Sequence, residues 1–273
     1  SAAVVNRKQA LCLMINEEDH LRMQSIRPGL ALREAYDLVS SVDGQLEANL
    51  EFAFDHELGY LSSCPTNLGT GMRASAMLHL PGLVLSDQIA QVLQAVGKLQ
   101  LAVRGFFGEG TESLGNLFQV SNQSTLGESE ETIIRKLERV IEQVTSHERN
   151  ARQKLFEDDP DMVCDRVGRA YGTLRHAHVI ASKEALNLLS LLRFGAELGF
   201  FPPETGGICD SLLMEIQPAH LQLHSGDKLT PEQRDAIRAE IIRSRLQSLE
   251  PPAMLGKKDE GGWKCSSDTI ADS

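Results

Sequence analysis

The sequence predicts an α+β domain over residues 1–155, a helical domain over 156–250 and a flexible tail over 251–273. Three observations carry this. Short apolar runs separated by glycine- and proline-bearing turns fill much of the first half. One long amphipathic stripe starts near Ser129. Beyond it no strand-like alternation recurs, and helical spacing takes over.

In chain order, Ala3–Val5 and Ala10–Ile15 read as strands. From Pro28 to Phe54, residues Leu32, Ala35, Leu38, Val39, Val42, Leu46, Leu50 and Ala53 recur at helical spacing. Residues 60–68 hold an S-S-C-P-T-N turn, followed by a Gly69-Thr70-Gly71 elbow. Residues 74–85 fit a strand or a helix, and Ser86 reads as the N-cap of a helix over 87–99. Residues 101–107 and 117–121 read as strands around a glycine-spaced loop. The long stripe runs Ile133, Leu137, Val140, Ile141, Val144, Ala151, Leu155 and stops at Asp158-Asp159-Pro160. Residues 161–200 are helix-compatible throughout, and Pro202-Pro203 with Gly206-Gly207 break that run. Thr230 followed by Pro231 opens a last helix to about Leu249.

With 273 residues, 41% apolar and 24% charged, the chain has the make-up of a soluble globular protein. Acidic residues exceed basic ones evenly, 19 to 14 before residue 156 and 19 to 13 after it. Together with 5% aromatics, that excludes a nucleic-acid binder. No apolar run is long enough to span a membrane. Five widely spaced cysteines without a C-x-x-C pair indicate neither a zinc site nor a disulfide framework, so reduced thiols and a cytoplasmic setting are expected. Cys12, Cys164, Cys209 and Cys265 receive no role, and His20, His176 and His178 are not read as metal ligands. No metal site is expected.

Four stretches carry chemistry. In N-E-E-D-H-L-R, 16–22, three adjacent carboxylates repel one another, a strain that a bound cation relieves. In C-P-T-N-L-G-T-G-M-R-A-S, 64–75, Cys64 sits in a polar turn, and glycines with Arg73 suit an anion. Arg104 and Glu109 flank the glycine-bracketed loop R-G-F-F-G-E. Arg234 and Arg238, four apart on one helix, place two guanidinium forks on one face. Each stretch alone also fits a plain solvated turn or helix face.

Together the first three stretches resemble, in order and spacing, the signature segments of the phosphagen kinases, the ATP:guanido phosphotransferases. The resemblance covers about the first 150 residues. Phe107 and R-D-A-I-R-A at 234–239 are similar to the bacterial protein-arginine kinase branch. It implies an antiparallel sheet flanked by helices, ATP with Mg²⁺ carried on its phosphates, and protein substrates with exposed arginines. Glu18 and Glu109 would hold the substrate guanidinium, with Glu18 taking its proton and Cys64 tuning it as a thiolate. Arg22, Arg73 and Arg104 would clamp the phosphates. Ala74, Ser75, Ala76 and Met77, with Gly105, Phe106, Phe107, Gly108 and Glu109, would complete the nucleotide contacts. Arg234, Asp235, Ala236, Ile237, Arg238 and Ala239 would form an allosteric phosphoarginine pocket. An activator protein, Clp-type protease machinery, a stress-response role and a homodimer belong to the same implication. The family's upstream S-x-R-x-R segment has no match in residues 1–15, so an N-terminally truncated catalytic domain is expected. A phosphoarginine-binding adaptor or pseudokinase, and a kinase of free arginine, stand as alternatives.

Overall fold

A computed structural model describes residues 1–8, 10–106 and 113–252. Its contacts divide the chain into two compact units. The first comprises Ser1–Leu78, Ala90–Arg104 and Phe118–His147; the second comprises His79–Ile89, Gly105–Leu117 and the chain from Glu148 on. Of the expected 251–273 tail, residues from 253 lie outside the described residues.

Strands β1 (Ala2–Val5), β2 (Leu11–Ile15) and β3 (Leu21–Ser25) form an antiparallel sheet in that order, with Ile15 opposite Leu21. The third strand goes beyond the sequence reading. Its signal is a period of two: Leu21, Met23 and Ser25 are half-buried while Arg22 and Gln24 are exposed. Helix α1 (Leu32–Glu47) ends before Leu50 and Ala53. Arg33 forks onto the carboxylate of Glu131. Strands β4 (Phe54–Asp55) and β5 (Gly59–Tyr60) make a short antiparallel hairpin. The ambiguous segment 74–85 is both things, β6 (Ser75–His79) and then α2 (Pro81–Leu85), because Pro81 fits the first helical position after the strand.

Ser86 is not the N-cap of the next helix, α3 (Ile89–Lys98). It closes α2, and its hydroxyl donates to the Gly82 carbonyl at 2.7 Å. Strands β7 (Leu101–Gly105) and β8 (Leu117–Asn122) join β6 in the order β6-β8-β7. Helix α4 (Glu130–Asp158) carries the expected stripe. In the first unit Ile133, Ile134, Leu137, Val140, Ile141 and Val144 are buried, as are Val96, Leu101, Phe118 and Val120.

In the second unit, residues 160–200 contain two helices, α5 (Pro160–His176) and α6 (Ser182–Glu197). Gly195 lets them approach, since a Cβ there would meet Val167 Cγ1 at 2.5 Å. Helix α6 ends before Pro202-Pro203, where Gly199 at φ 82° lets the Phe200 N–H donate back to the Gly195 carbonyl at 2.9 Å, and the glycines at 206 and 207 do not stop α7 (Glu204–Glu215). Burying Cys209 and Leu212 in the helical core outweighs the poor helix propensity of the two glycines. Burial pushes the Cys209 thiol up to about 12, that of an inert core cysteine. Helix α8 (Pro218–Ser225) follows, and α9 (Pro231–Arg245) begins with a capping box between Thr230 and Gln233. Among the described residues no helix is long and apolar enough to cross a membrane.

This unit also buries charge. Glu148, 3% exposed, interrupts the apolar stripe of α4 and accepts the Gly82 and Leu83 N–H groups at 2.7 and 2.9 Å. Arg152 bonds both Glu148 and Glu197. Burial pushes Glu197 up, but the His79 imidazole and the Arg152 and Arg193 guanidiniums reverse that and hold it at about 2. Of these, the two arginines are the firm partners, because His79 Nδ1 lies 3.8 Å from the carboxylate. A depressed carboxyl adds stability above the unfolded value of about 4.3 and loses it as pH falls toward the folded one. Glu148, raised by burial, has the opposite sign. Acid titration followed by helical circular dichroism should therefore show weakening between about pH 4.3 and 2. The Glu197→Gln variant should flatten that slope; an unaltered slope refutes the assignment.

Candidate active site

The carboxylates of 16–22 sit on the tip of the β2–β3 hairpin. Its loop closes with Asn16 N–H donating to the His20 carbonyl at 3.0 Å. Asn16 takes the left-handed conformation, φ 55°, that asparagine tolerates in tight turns. Glu18 is exposed at this tip. Arg22 leaves the start of β3 and pairs with Glu17 at 3.2 Å. The N–H of Glu18 and then Arg22 hold the Glu17 carboxyl below the usual carboxylate range.

The tip is tied to the cysteine turn. Asp19 Oδ1 accepts the Ser63 N–H at 2.6 Å, across 44 residues of sequence. Cys64 opens a 3₁₀ turn, Pro65–Asn67, and its Sγ lies 3.0 Å from Thr66 Oγ1. Arg73 folds back onto the same turn. Its Nη2 donates to Thr66 Oγ1 and its Nε to Asn67 Oδ1, each at 3.1 Å. A guanidinium only donates, so the Thr66 oxygen is polarised by Arg73 while its O–H remains available to the Cys64 sulfur.

Behind the turn, two side chains 3% exposed hold it in place. The Thr125 hydroxyl lies 3.0 and 2.7 Å from the Thr66 and Leu68 carbonyls. Asn122 receives the Ala74 N–H at 2.8 Å and donates to the Met72 and Ser124 carbonyls. Gly69, at φ 104°, permits this closeness, since a Cβ would stand 2.4 Å from the Thr125 carbonyl oxygen. Sequence reasoning passed over Thr66, Asn122 and Thr125. The polar S-N-Q-S-T stretch at 121–125 carries no motif of its own, and only the fold shows that Asn122 and Thr125 are buried.

Strand β6 then carries Ser75, Ala76 and Met77, with Ala74 just before it. Ser75 and Met77 are exposed, and Gln119 of the neighbouring β8 donates to Ser75 Oγ at 3.0 Å. Arg104 is exposed on β7, two strands from β6, or about 10 Å by strand spacing. Gly105 ends β7, and the Phe106 N–H donates to the Leu117 carbonyl at 2.8 Å. Phe107, Gly108 and Glu109 lie outside the described residues. Bonds thus join the Glu18 loop, Cys64 and Arg73 to one another. Arg104 and the Ser75 edge share a sheet.

The R-D-A-I-R-A segment differs from the expected pair of surface forks. Arg234 is half-buried, whereas Arg238 is 2% exposed and spent inside the second unit. Its Nη1 donates to the Ile180 carbonyl at 2.9 Å and to Asp235, and its Nε to the Ile216 carbonyl at 3.3 Å. A spacing of four sets the helix face, not whether another element covers it.

The model of the ATP:guanido phosphotransferase C-terminal catalytic domain matches residues 1–151. That of the protein-arginine kinase McsB C-terminal domain matches residues 160–257. The chain is 49% identical over 248 residues to a protein-arginine kinase of Pelotomaculum thermopropionicum, spanning 91% of this chain and 70% of that protein. It is 51% identical over 241 residues to one of Syntrophomonas wolfei, spanning 88% and 67%. The substrate-free duplicated taurocyamine kinase of Schistosoma mansoni shares the fold, with a TM-score of 0.50 at 21% identity over 84% of this chain and 35% of that one. The chain belongs to the ATP:guanido phosphotransferase family, a class of guanido phosphotransferases. Within that family its relatives are the protein-arginine kinases, whose C-terminal domain forms its second half.

Proposed function

We propose that this chain transfers the γ-phosphoryl group of ATP to arginine side chains of proteins, using the site around Cys64. The observation that carries this is the hydrogen-bonded path from the Glu18 loop through Asp19 and Ser63 to Cys64, Thr66 and Arg73. It ties the loop that carries Glu18 to the turn that carries Cys64 and Arg73, which supports a site for phosphoryl transfer onto a guanidinium.

A free guanidinium is fully protonated and a poor nucleophile, with a pKa of about 12.5–13.8. Glu18 orients it and takes one proton as a guanidinium nitrogen bonds the γ-phosphorus. The bond from that phosphorus to the bridging oxygen breaks, and ADP leaves. Glu109 grips the guanidinium from the other side. Cys64, as thiolate, adds negative charge beside it without bonding to it. Arg22, Arg73 and Arg104 neutralise the phosphates, and Ala74–Met77 with Gly105–Glu109 shape the nucleotide edge. Mg²⁺ arrives on the ATP phosphates and supplies charge neutralisation there.

Thr66 is the support for Cys64 in this reading. Thr66→Val keeps the shape and removes the bond, so kcat should fall roughly tenfold or more, the worth of a hydrogen bond to a charged group. Alkylation of Cys64 by iodoacetamide should slow in parallel, and an unchanged alkylation rate refutes the role. Arg234 is the remaining anion contact for a regulatory phosphoarginine. An activator protein, Clp-type protease machinery, homodimerisation and a cytoplasmic setting complete the reading.

The test is direct. The chain is incubated with Mg-ATP and either an unfolded arginine-rich protein or free arginine, and acid-labile phosphoramidate is measured. Label on protein alone is the expected result. Label on free arginine alone makes it a small-molecule kinase. No label with retained phosphoarginine binding makes it an adaptor.

A further inference from the structure

Between the β4–β5 hairpin and residues 125–130, the first unit opens into a cavity of about 400 Å³. Phe54 and Tyr60 wall it, their rings edge-to-face at 5.2 Å, and Leu58 and Leu126 border it, 43% and 47% exposed. Its floor includes Gly69 and Thr70, and Glu57, Glu128 and Glu130 line it. Glu128 is paired with Lys136 at 3.1 Å. Glu57 and Glu130 have no ion pair among the described residues.

More negative charge stands behind the wall. Burial raises the Tyr60 hydroxyl above its usual range, and the carboxylates of Glu47, Asp43 and Glu130 raise it further. Asp43 is itself raised by burial and then by Glu47 and Glu130. Carboxylates from α1 and from the start of α4 thus repel one another around an aromatic wall.

We propose that this cavity seats a basic side chain that neighbours the acceptor arginine in the substrate protein. The proposal rests on the reading above that the acceptor is presented at Cys64. The chemistry matches part by part. Aromatic faces attract a cation. Unpaired carboxylates take its N–H groups. Apolar borders receive the methylene stem of a lysine or arginine. The reach also matches. Gly69 follows Cys64 by five residues, so by chain geometry its Cα lies within about 18 Å of the Cys64 Cα. A few extended residues of substrate cover that span. The net charge of −11 favours the approach of such a segment.

The experiment uses the full chain and two fluorescein-labelled nonapeptides, each with one acceptor arginine. One carries lysines around the acceptor, the other serines. Kinetics and binding anisotropy are compared between the parent and the Glu57→Gln/Glu130→Gln double variant. For the lysine peptide, KM and Kd should rise about five- to tenfold in the variant, the scale of two solvent-facing charge contacts. The serine peptide, kcat and the KM for ATP should not change. Equal constants for both peptides in both proteins overturn the proposal and leave the kinase reading intact. Binding of the lysine peptide that weakens in the variant, with no phosphorylation of either peptide by the parent, keeps the cavity and overturns the kinase reading.

Discussion

Replacing Arg73 by alanine should lower kcat/KM on the order of 10³-fold, and replacing it by lysine should recover little. The reason lies in how its fork is divided. Nε is held by Asn67 and Nη2 by Thr66, which aims the planar head, and in the proposed reaction the other N–H groups face phosphate. An ammonium has three donors around one point and cannot hold two ends of a turn while facing an anion. Loss of one preorganised donor to developing charge costs roughly 10²–10³ in rate. Arg73→Ala also frees Thr66, so the Cys64 support weakens with it. Steady-state kinetics on a protein substrate, with ATP binding measured separately, checks this. A lysine variant within about threefold of the parent contradicts the division of labour described.

Replacing Arg238 by alanine should destabilise the helical unit by about 2–4 kcal/mol, since two backbone carbonyls lose their buried donor at about 1–3 kcal/mol each. Arg238 ties the α5–α6 loop at Ile180, the C-terminal end of α7 at Ile216, and Asp235 of its own helix. The Ile216 carbonyl is among those a helix end leaves unpaired, so a cation there also meets the favourable end of the α7 dipole. Without the guanidinium, two carbonyls lose their buried donor, and the half-buried Asp235 carboxylate loses its ion pair. Against a typical total of roughly 5–15 kcal/mol, that is a large fraction. Urea unfolding followed by circular dichroism measures it, and a loss below about 1 kcal/mol refutes the assignment. Loss of phosphoarginine binding in an Arg238 variant would therefore report unfolding, so Arg234→Ala is the substitution that tests the pocket.

Much of the candidate site could be proposed from sequence because its segments are contiguous. N-E-E-D-H-L-R and C-P-T-N-L-G-T-G-M-R-A-S each form one local structure, a hairpin tip and a turn, whose parts need no distant partner to be recognised. Helices α4 and α9 were legible for a similar reason, since a stripe and a cap are local patterns. The failures have a common cause. Ser86 looks like an N-cap in sequence, yet its hydroxyl serves the helix before it. Gly206-Gly207 look like a break, yet core burial carries α7 through them.

By itself the sequence determined the class of fold, the order of the signature segments and the residue types available for phosphoryl transfer. Only the tertiary structure decided which polar groups are partnered. It tied Asp19 to Ser63 across 44 residues, placed Thr125 and Asn122 behind the cysteine turn, and turned Arg238 inward. The physical reason is that pattern records which face a residue occupies. Burial and hydrogen bonding depend on what another part of the chain brings to that face.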